Sequence, residues 1–164
     1  MDDVDAMTDL TALPTEALVE IREALKYNPD QPRDERGRWT AGDSTGAAWA
    51  DAKARIAAHG PGNCYPAAAT LAMRADELGL RNARVVHATC TGQGAIAGKA
   101  FGHAWVEADG PHGIRVAYDY SGGKEVELPA SFYRQLGEAR GVREYTPREA
   151  MVQMVKTGHY GPWA

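Results

Sequence analysis

The chain has 164 residues, 44% of them hydrophobic and 24% charged, with a formal net charge of −4. That is enough apolar material for one core, and the slight acidity excludes bulk attraction to nucleic acid or to anionic lipid. The N-terminal Met-Asp-Asp-Val-Asp is acidic and lacks an apolar segment, and no apolar run reaches the roughly 20 residues of a membrane span, so neither a signal peptide nor a transmembrane helix is expected.

In chain order, the first element is a short amphipathic helix from Pro14 to Leu25, with Ala17, Leu18, Ile21, Ala24 and Leu25 at helical spacing. Asn28 to Ser44 then loses all periodicity and reads as a linker, with Trp39 as its one large aromatic. Residues 1–46 are therefore assigned to an N-terminal helix and flexible linker, and 47–164 to the folded domain. Within that domain, Ala47 to Ala58 is an alanine-rich helix stopped by Gly60-Pro61-Gly62. Pro66 to Leu78 is a second helix with a face of small residues (Ala68, Leu71, Ala72, Ala75 and Leu78), which predicts a central, buried position.

Ala83 to Thr89 alternates and predicts a strand. Gly92 to Gly98 is a glycine-rich loop, expected as a mobile flap. His103 to Glu107 and Ile114 to Tyr120 predict a hairpin around Asp109-Gly110 and His112-Gly113, with Val106 facing Val116 and Glu107 facing solvent. Pro129 to Leu136 is a short helix. Thr146-Pro147-Arg148-Glu149 has the pattern of a capping box with proline at the first helical position, opening a last helix that runs to Lys156.

Three residues carry chemistry. Gly62-Asn63-Cys64 followed by Pro66 places Cys64 in the first turn of a helix, where partial positive charge and unpaired N–H groups favour a thiolate. The Cys64 N–H would also face an oxyanion on an attacked carbonyl, with Asn63 or His59 as candidates for a second donor. The hairpin brings His103 close to Asp119: the imidazole takes and returns the thiol proton, and the carboxylate fixes its tautomer. This chemistry needs no cofactor. The spacing His87-x-x-Cys90 is ligand-like, but a zinc set would also require Cys64 and His103 from separate places in the chain. With no secretory context, both cysteines are expected as free thiols in a reducing cytoplasm.

Gly62-x-Cys64, Ala68, Leu78-Gly79-Leu80, Ala83-Arg84-Val85-Val86, His103-Ala104-Trp105-Val106-Glu107 and Asp119-x-Ser121 together resemble the transglutaminase-like branch of the papain-fold cysteine hydrolases. The similarity spans residues 60–122. It implies an α+β fold, with a central helix carrying the cysteine packed on a small antiparallel sheet. It also implies Cys64 as nucleophile, His103 as base and Asp119 as orienting acid. That family often places a bulky aromatic upstream of the cysteine to assist the oxyanion site, and the nearest such ring here is Trp49. The reaction implied is hydrolysis or acyl transfer at an amide bond, peptidase first, on a protein or peptide substrate. Asn28 to Thr40 is similar to segments of tailed-phage head-module proteins, which implies a phage protein, located in the host cytoplasm or in the virion and docked on the capsid through the linker. Two competing readings follow: a non-enzymatic capsid-associated protein, and a toxin or anti-defence effector that modifies a host protein.

Overall fold

The computed structural model describes residues 43–123 and 125–163. The helix expected at 14–25 and the linker through Trp39 lie outside the described residues. Four helices and five strands follow in the order α1 (Asp43–Ala58), α2 (Cys64–Met73), β1 (Arg84–Thr91), β2 (Ala100–Asp109), β3 (Arg115–Asp119), β4 (Val126–Pro129), α3 (Ala130–Leu136), β5 (Arg140–Tyr145) and α4 (Pro147–Thr157). The strands form one antiparallel sheet in the order β4-β3-β2-β1-β5. The fold is α+β, as expected. Among the described residues no helix is long and apolar enough to cross a membrane.

Both faces of the sheet are covered. On one face α2 packs its small residues Ala67, Ala68, Leu71 and Ala72 against Val85, Ala104, Val106 and Ala108, with α1 and α4 beside it. Short side chains let the α2 backbone lie close to β2, which is why a helix with so many alanines sits at the centre. It is shorter than the sequence predicts, because after Met73 the chain passes through turns to Gly79. Ala75 and Leu78 nonetheless stay buried. On the other face α3 covers Val86, Ala88, Cys90, Trp105, Ala117 and Leu128 with Tyr133, which is fully buried.

The second layer overturns one expectation. Glu107 does not face solvent: it is fully buried. Strand alternation places it on the same face as His103 and Trp105, and there it accepts hydrogen bonds from Trp105 Nε1 (2.9 Å) and from Arg134 Nε and Nη2 (both 2.7 Å). Arg115 Nε lies 3.5 Å from the same carboxylate. A fully buried carboxylate is tolerable only with such partners.

The hairpin is present, but its register differs by two residues: Val106 faces Tyr118, not Val116. The turn takes up the difference, with Gly110, Pro111–Gly113 and a left-handed His112 (φ 56°) between the strands. Strands β4 and β5 add two members that the sequence reading left unassigned. The last helix carries its capping box as predicted: Thr146 Oγ1 accepts from Glu149 N (3.1 Å), Thr146 N donates to Glu149 (2.7 Å), and Gly158 ends the helix at φ 72°. The Gly92–Gly98 loop folds back on itself through Gly98 N to Gly92 O (3.0 Å) and buries Ile96.

Candidate active site

The β2–β3 ladder stops at Val106 opposite Tyr118. Past that point the two strands no longer bond each other, and the first turn of α2 meets the start of β2 at the open end of the sheet. Cys64 is the first residue of α2. Its thiol is near enough to the His103 ring to help raise the pKa of that ring. His103 Nε2 lies 2.9 Å from Asp119 Oδ2, so a base on β2 and an acid at the end of β3 meet diagonally. The three side chains singled out from the sequence are thus brought together.

The acid is held from several sides. Ser121 donates to Asp119 Oδ1 through both its backbone N (2.9 Å) and its Oγ (2.6 Å). Tyr133 donates its hydroxyl proton to Asp119 Oδ2 at 2.6 Å, and its oxygen lies 3.1 Å from His103 Nε2. A carboxylate only accepts, so the Nε2 proton of His103 points to Asp119 and leaves Nδ1 to meet the sulfur. Trp105 stacks on the His103 ring at 5.7 Å and 27°, which fixes the ring plane.

Electrostatics follow from this geometry. Burial alone would lower the His103 pKa. The Asp119 charge and hydrogen bond, with the Cys64 contact, outweigh it and raise that pKa to about 10. Burial likewise works to raise the Asp119 pKa, yet His103, Ser121 and Tyr133 together hold it below the usual carboxylate range. The pair is therefore an imidazolium–carboxylate ion pair at neutral pH. Cys64 and His103 are 7% and 4% exposed, so the centre is largely desolvated, which strengthens every charge interaction within it.

Neither side-chain candidate for a second oxyanion donor points at the sulfur. The Asn63 amide donates to the His59 carbonyl, and the His59 ring pairs with Thr70 Oγ1 at 3.0 Å. The backbone N–H groups at the start of α2, which have no acceptor within the helix, are the donors at this position. Trp49 packs on Tyr118 and Tyr120, the two residues that flank Asp119. Tyr133 is the site residue that sequence reasoning missed. It lies on a correctly expected helix, but no spacing rule ties that helix to His103.

His87 and Cys90 do not form a ligand pair, because they project to opposite faces of the sheet. Cys90 is fully buried beside Trp105, and burial pushes its thiol pKa up to about 12. Both cysteines are free. His87 is boxed by Tyr65 (4.9 Å), Trp163 (4.8 Å) and Tyr145 (5.3 Å between ring centroids). Neither of its ring nitrogens has a hydrogen-bond partner. Burial lowers its pKa from 6.5 to about 4.

An unfolded chain takes up this proton below pH 6.5, whereas the fold refuses it until about 4. The contribution of a neutral His87 is thus complete above 6.5 and is lost as pH falls through 4. His87→Phe removes that loss. The variant is expected to gain about 2 kcal/mol more, relative to the parent, at pH 5 than at pH 7.5. Denaturant titrations of both proteins at the two pH values check this; equal gains would mean that His87 is not desolvated in solution.

No protein-family model matches this chain, and neither the curated proteins nor the solved structures yield a match to it.

Proposed function

We propose that the protein is a cysteine-dependent hydrolase or acyl transferase acting on amide bonds, with peptide hydrolysis as the first choice, and that its helix-on-sheet arrangement is of the papain-like, transglutaminase-like kind. The observation that carries this reading is His103 bonded to the Asp119 carboxylate, with the Cys64 sulfur near enough to help raise the pKa of the same ring. A histidine between a thiol at a helix start and a buried acid has the parts of an activated nucleophile.

The steps follow from the protons. His103, an imidazolium in the resting centre, holds on Nδ1 the proton taken from the Cys64 thiol, and the sulfur anion attacks the amide carbonyl carbon. The carbonyl oxygen takes the negative charge and is met by N–H groups at the start of α2. His103 then protonates the leaving nitrogen, the C–N bond breaks, and a thioester remains on Cys64. Water, or an amine in a transferase, gives a proton to His103 and attacks the thioester. The acid or new amide leaves, and the thiolate and the His103 imidazolium are restored. Asp119 keeps the imidazolium oriented throughout and is not itself protonated.

Alkylation tests the central element without a known substrate. At pH 6, iodoacetamide is expected to modify Cys64 roughly tenfold or more faster than it modifies free cysteine, because an imidazolium beside the sulfur favours the nucleophilic anion. Peptide mapping locates the adduct. A Cys64 that reacts no faster than free cysteine at that pH would falsify the proposal.

A further inference from the structure

We infer that residues 158–163 are an acid-released strap, which lies shut on His87 while that imidazole is neutral and lifts when it takes a proton. The inference does not depend on the thiol chemistry above. The segment starts at Gly158, whose left-handed φ of 72° ends α4. Gly161 then sits against the His87 ring: a Cβ there would lie 2.5 Å from His87 Cε1, 3.2 Å from Nε2 and 2.8 Å from Tyr65 Cδ1. Trp163 covers the ring as well, with centroids 4.8 Å apart. Both His87 nitrogens are kept from water and have no partner of their own. Pro162 and Trp163 also wall a cavity of about 460 Å³ together with Tyr65, Thr89, Gly102 and Arg143, and lifting the strap opens it.

The surroundings of the ring do not support a positive charge. Tyr65 faces it from α2, Tyr145 and Arg143 from β5 and Ala104 from β2, while α4 turns the uncharged Ala150 and Met154 to this layer. Arg143 is the direct cross-strand partner of His87, so an imidazolium would face a second cation. Few bonds hold the strap. The Trp163 carbonyl accepts from Arg143 Nη1 (3.0 Å) and the Tyr145 hydroxyl (3.5 Å), and its indole N–H donates to the His159 carbonyl (3.1 Å). Gly161 N donates to His159 Nδ1 (3.2 Å), a bond that a protonated Nδ1 cannot accept. Two imidazoles thus favour the shut form only when uncharged. A segment so lightly tied opens without the rest of the domain. Burial holds the His87 pKa at about 4 when shut, against 6.5 for a free ring. Its contribution to closure is therefore complete above 6.5 and lost as pH falls through 4. From pH 7.5 to 5 the open form should gain on the shut one by roughly 30-fold.

Hydrogen exchange of the indole N–H groups, followed by NMR on the full chain, tests the strap. Protection factors remove the intrinsic pH dependence of exchange. Trp163 is expected to be at least about tenfold less protected than Trp105, whose N–H is bonded to Glu107 on the opposite sheet face. Between pH 7.5 and 5 its protection should fall roughly 30-fold. In His87→Phe, checked for folding by circular dichroism, the fall should shrink to about fivefold or less, the share that the single bond to His159 can supply. Equal protection of Trp163 and Trp105 overturns the strap, because release would then require global unfolding. So does a Trp163 protection that ignores pH, or the full fall retained in folded His87→Phe. Should that variant not fold, the titration of the His87 ring in the parent decides: a midpoint well below 6.5 is expected, and one near 6.5 overturns the strap.

Discussion

Asp119→Asn is expected to remove the reactivity of the centre while leaving a folded protein. The reason lies in one proton. Asp119 Oδ2 accepts from both His103 Nε2 and the Tyr133 hydroxyl, while Oδ1 accepts from Ser121. An asparagine keeps its carbonyl toward the two Ser121 donors and turns its NH₂ toward His103. Two donors then face each other, so the imidazole must move its proton from Nε2 to Nδ1. Nδ1 is the nitrogen that meets the sulfur, and a protonated Nδ1 on a neutral ring cannot take the thiol proton. The expected loss in amide turnover is roughly 10³- to 10⁴-fold, as for other wrong-tautomer triads. Alkylation of Cys64 at pH 6 is expected to slow roughly 100-fold, to the behaviour of a simple thiol.

The same substitution has a signature in pH. In the parent, His103 keeps its proton until about pH 10, so the imidazolium form persists through neutral and mildly alkaline conditions. Because its folded pKa lies above the 6.5 of a free imidazole, its stabilising contribution is complete below 6.5 and disappears as pH rises through 10. Asp119→Asn removes the charge that holds the proton. The stability gap between parent and variant should therefore narrow between pH 7 and pH 10. A gap that stays constant over that range, measured by denaturant titration, would show that the two groups are not an ion pair.

Cys64 was legible because its signals are local: glycine, cysteine and proline at a helix start constrain the backbone within a few residues. His103 and Asp119 were legible because a hairpin joins sequence neighbours, and a two-residue register error preserves the face on which each side chain lies. Glu107 was misread for a reason of the opposite kind. Strand alternation correctly put it opposite Val106, but it says nothing about what covers the second face. That cover is α3, and α3 reaches Glu107 only because β3 and β4 lead the chain across the sheet first. Tyr133 was invisible for the same reason. Strands β4 and β5 are edge strands of four and six residues with charged members such as Glu127, Arg140, Arg143 and Glu144. Short polar edges carry little hydrophobic alternation to read. One signal was available and unused: Trp105 and Glu107 share the face of His103, so a buried His103 already implied buried neighbours.

That shared face makes Arg134→Met the most disruptive single change expected away from the reacting atoms. Arg134 gives Glu107 two bonds of 2.7 Å and extends a third contact to Glu144 at 2.5 Å. Its removal leaves a carboxylate that is 1% exposed, with only the Trp105 N–H and the more distant Arg115 for company. Stranding one member of a buried ion pair costs about 3 kcal/mol or more, which predicts a melting temperature lower by about 10 °C. Replacing Glu107 by glutamine in the same chain removes the stranded charge, so Glu107→Gln combined with Arg134→Met should recover a large part of the loss. A double variant no more stable than the single one would mean that Arg134 acts through packing and not charge. The consequence for the centre comes through the neighbouring residue. Arg134 ties α3 to β2, and α3 carries Tyr133 to Asp119. The single variant should therefore alkylate Cys64 more slowly even well below its melting temperature. Removing Tyr133's bond alone, with Tyr133→Phe, should slow alkylation without the full loss in stability. The two readouts separate the anchor that holds the helix from the hydroxyl that holds the acid.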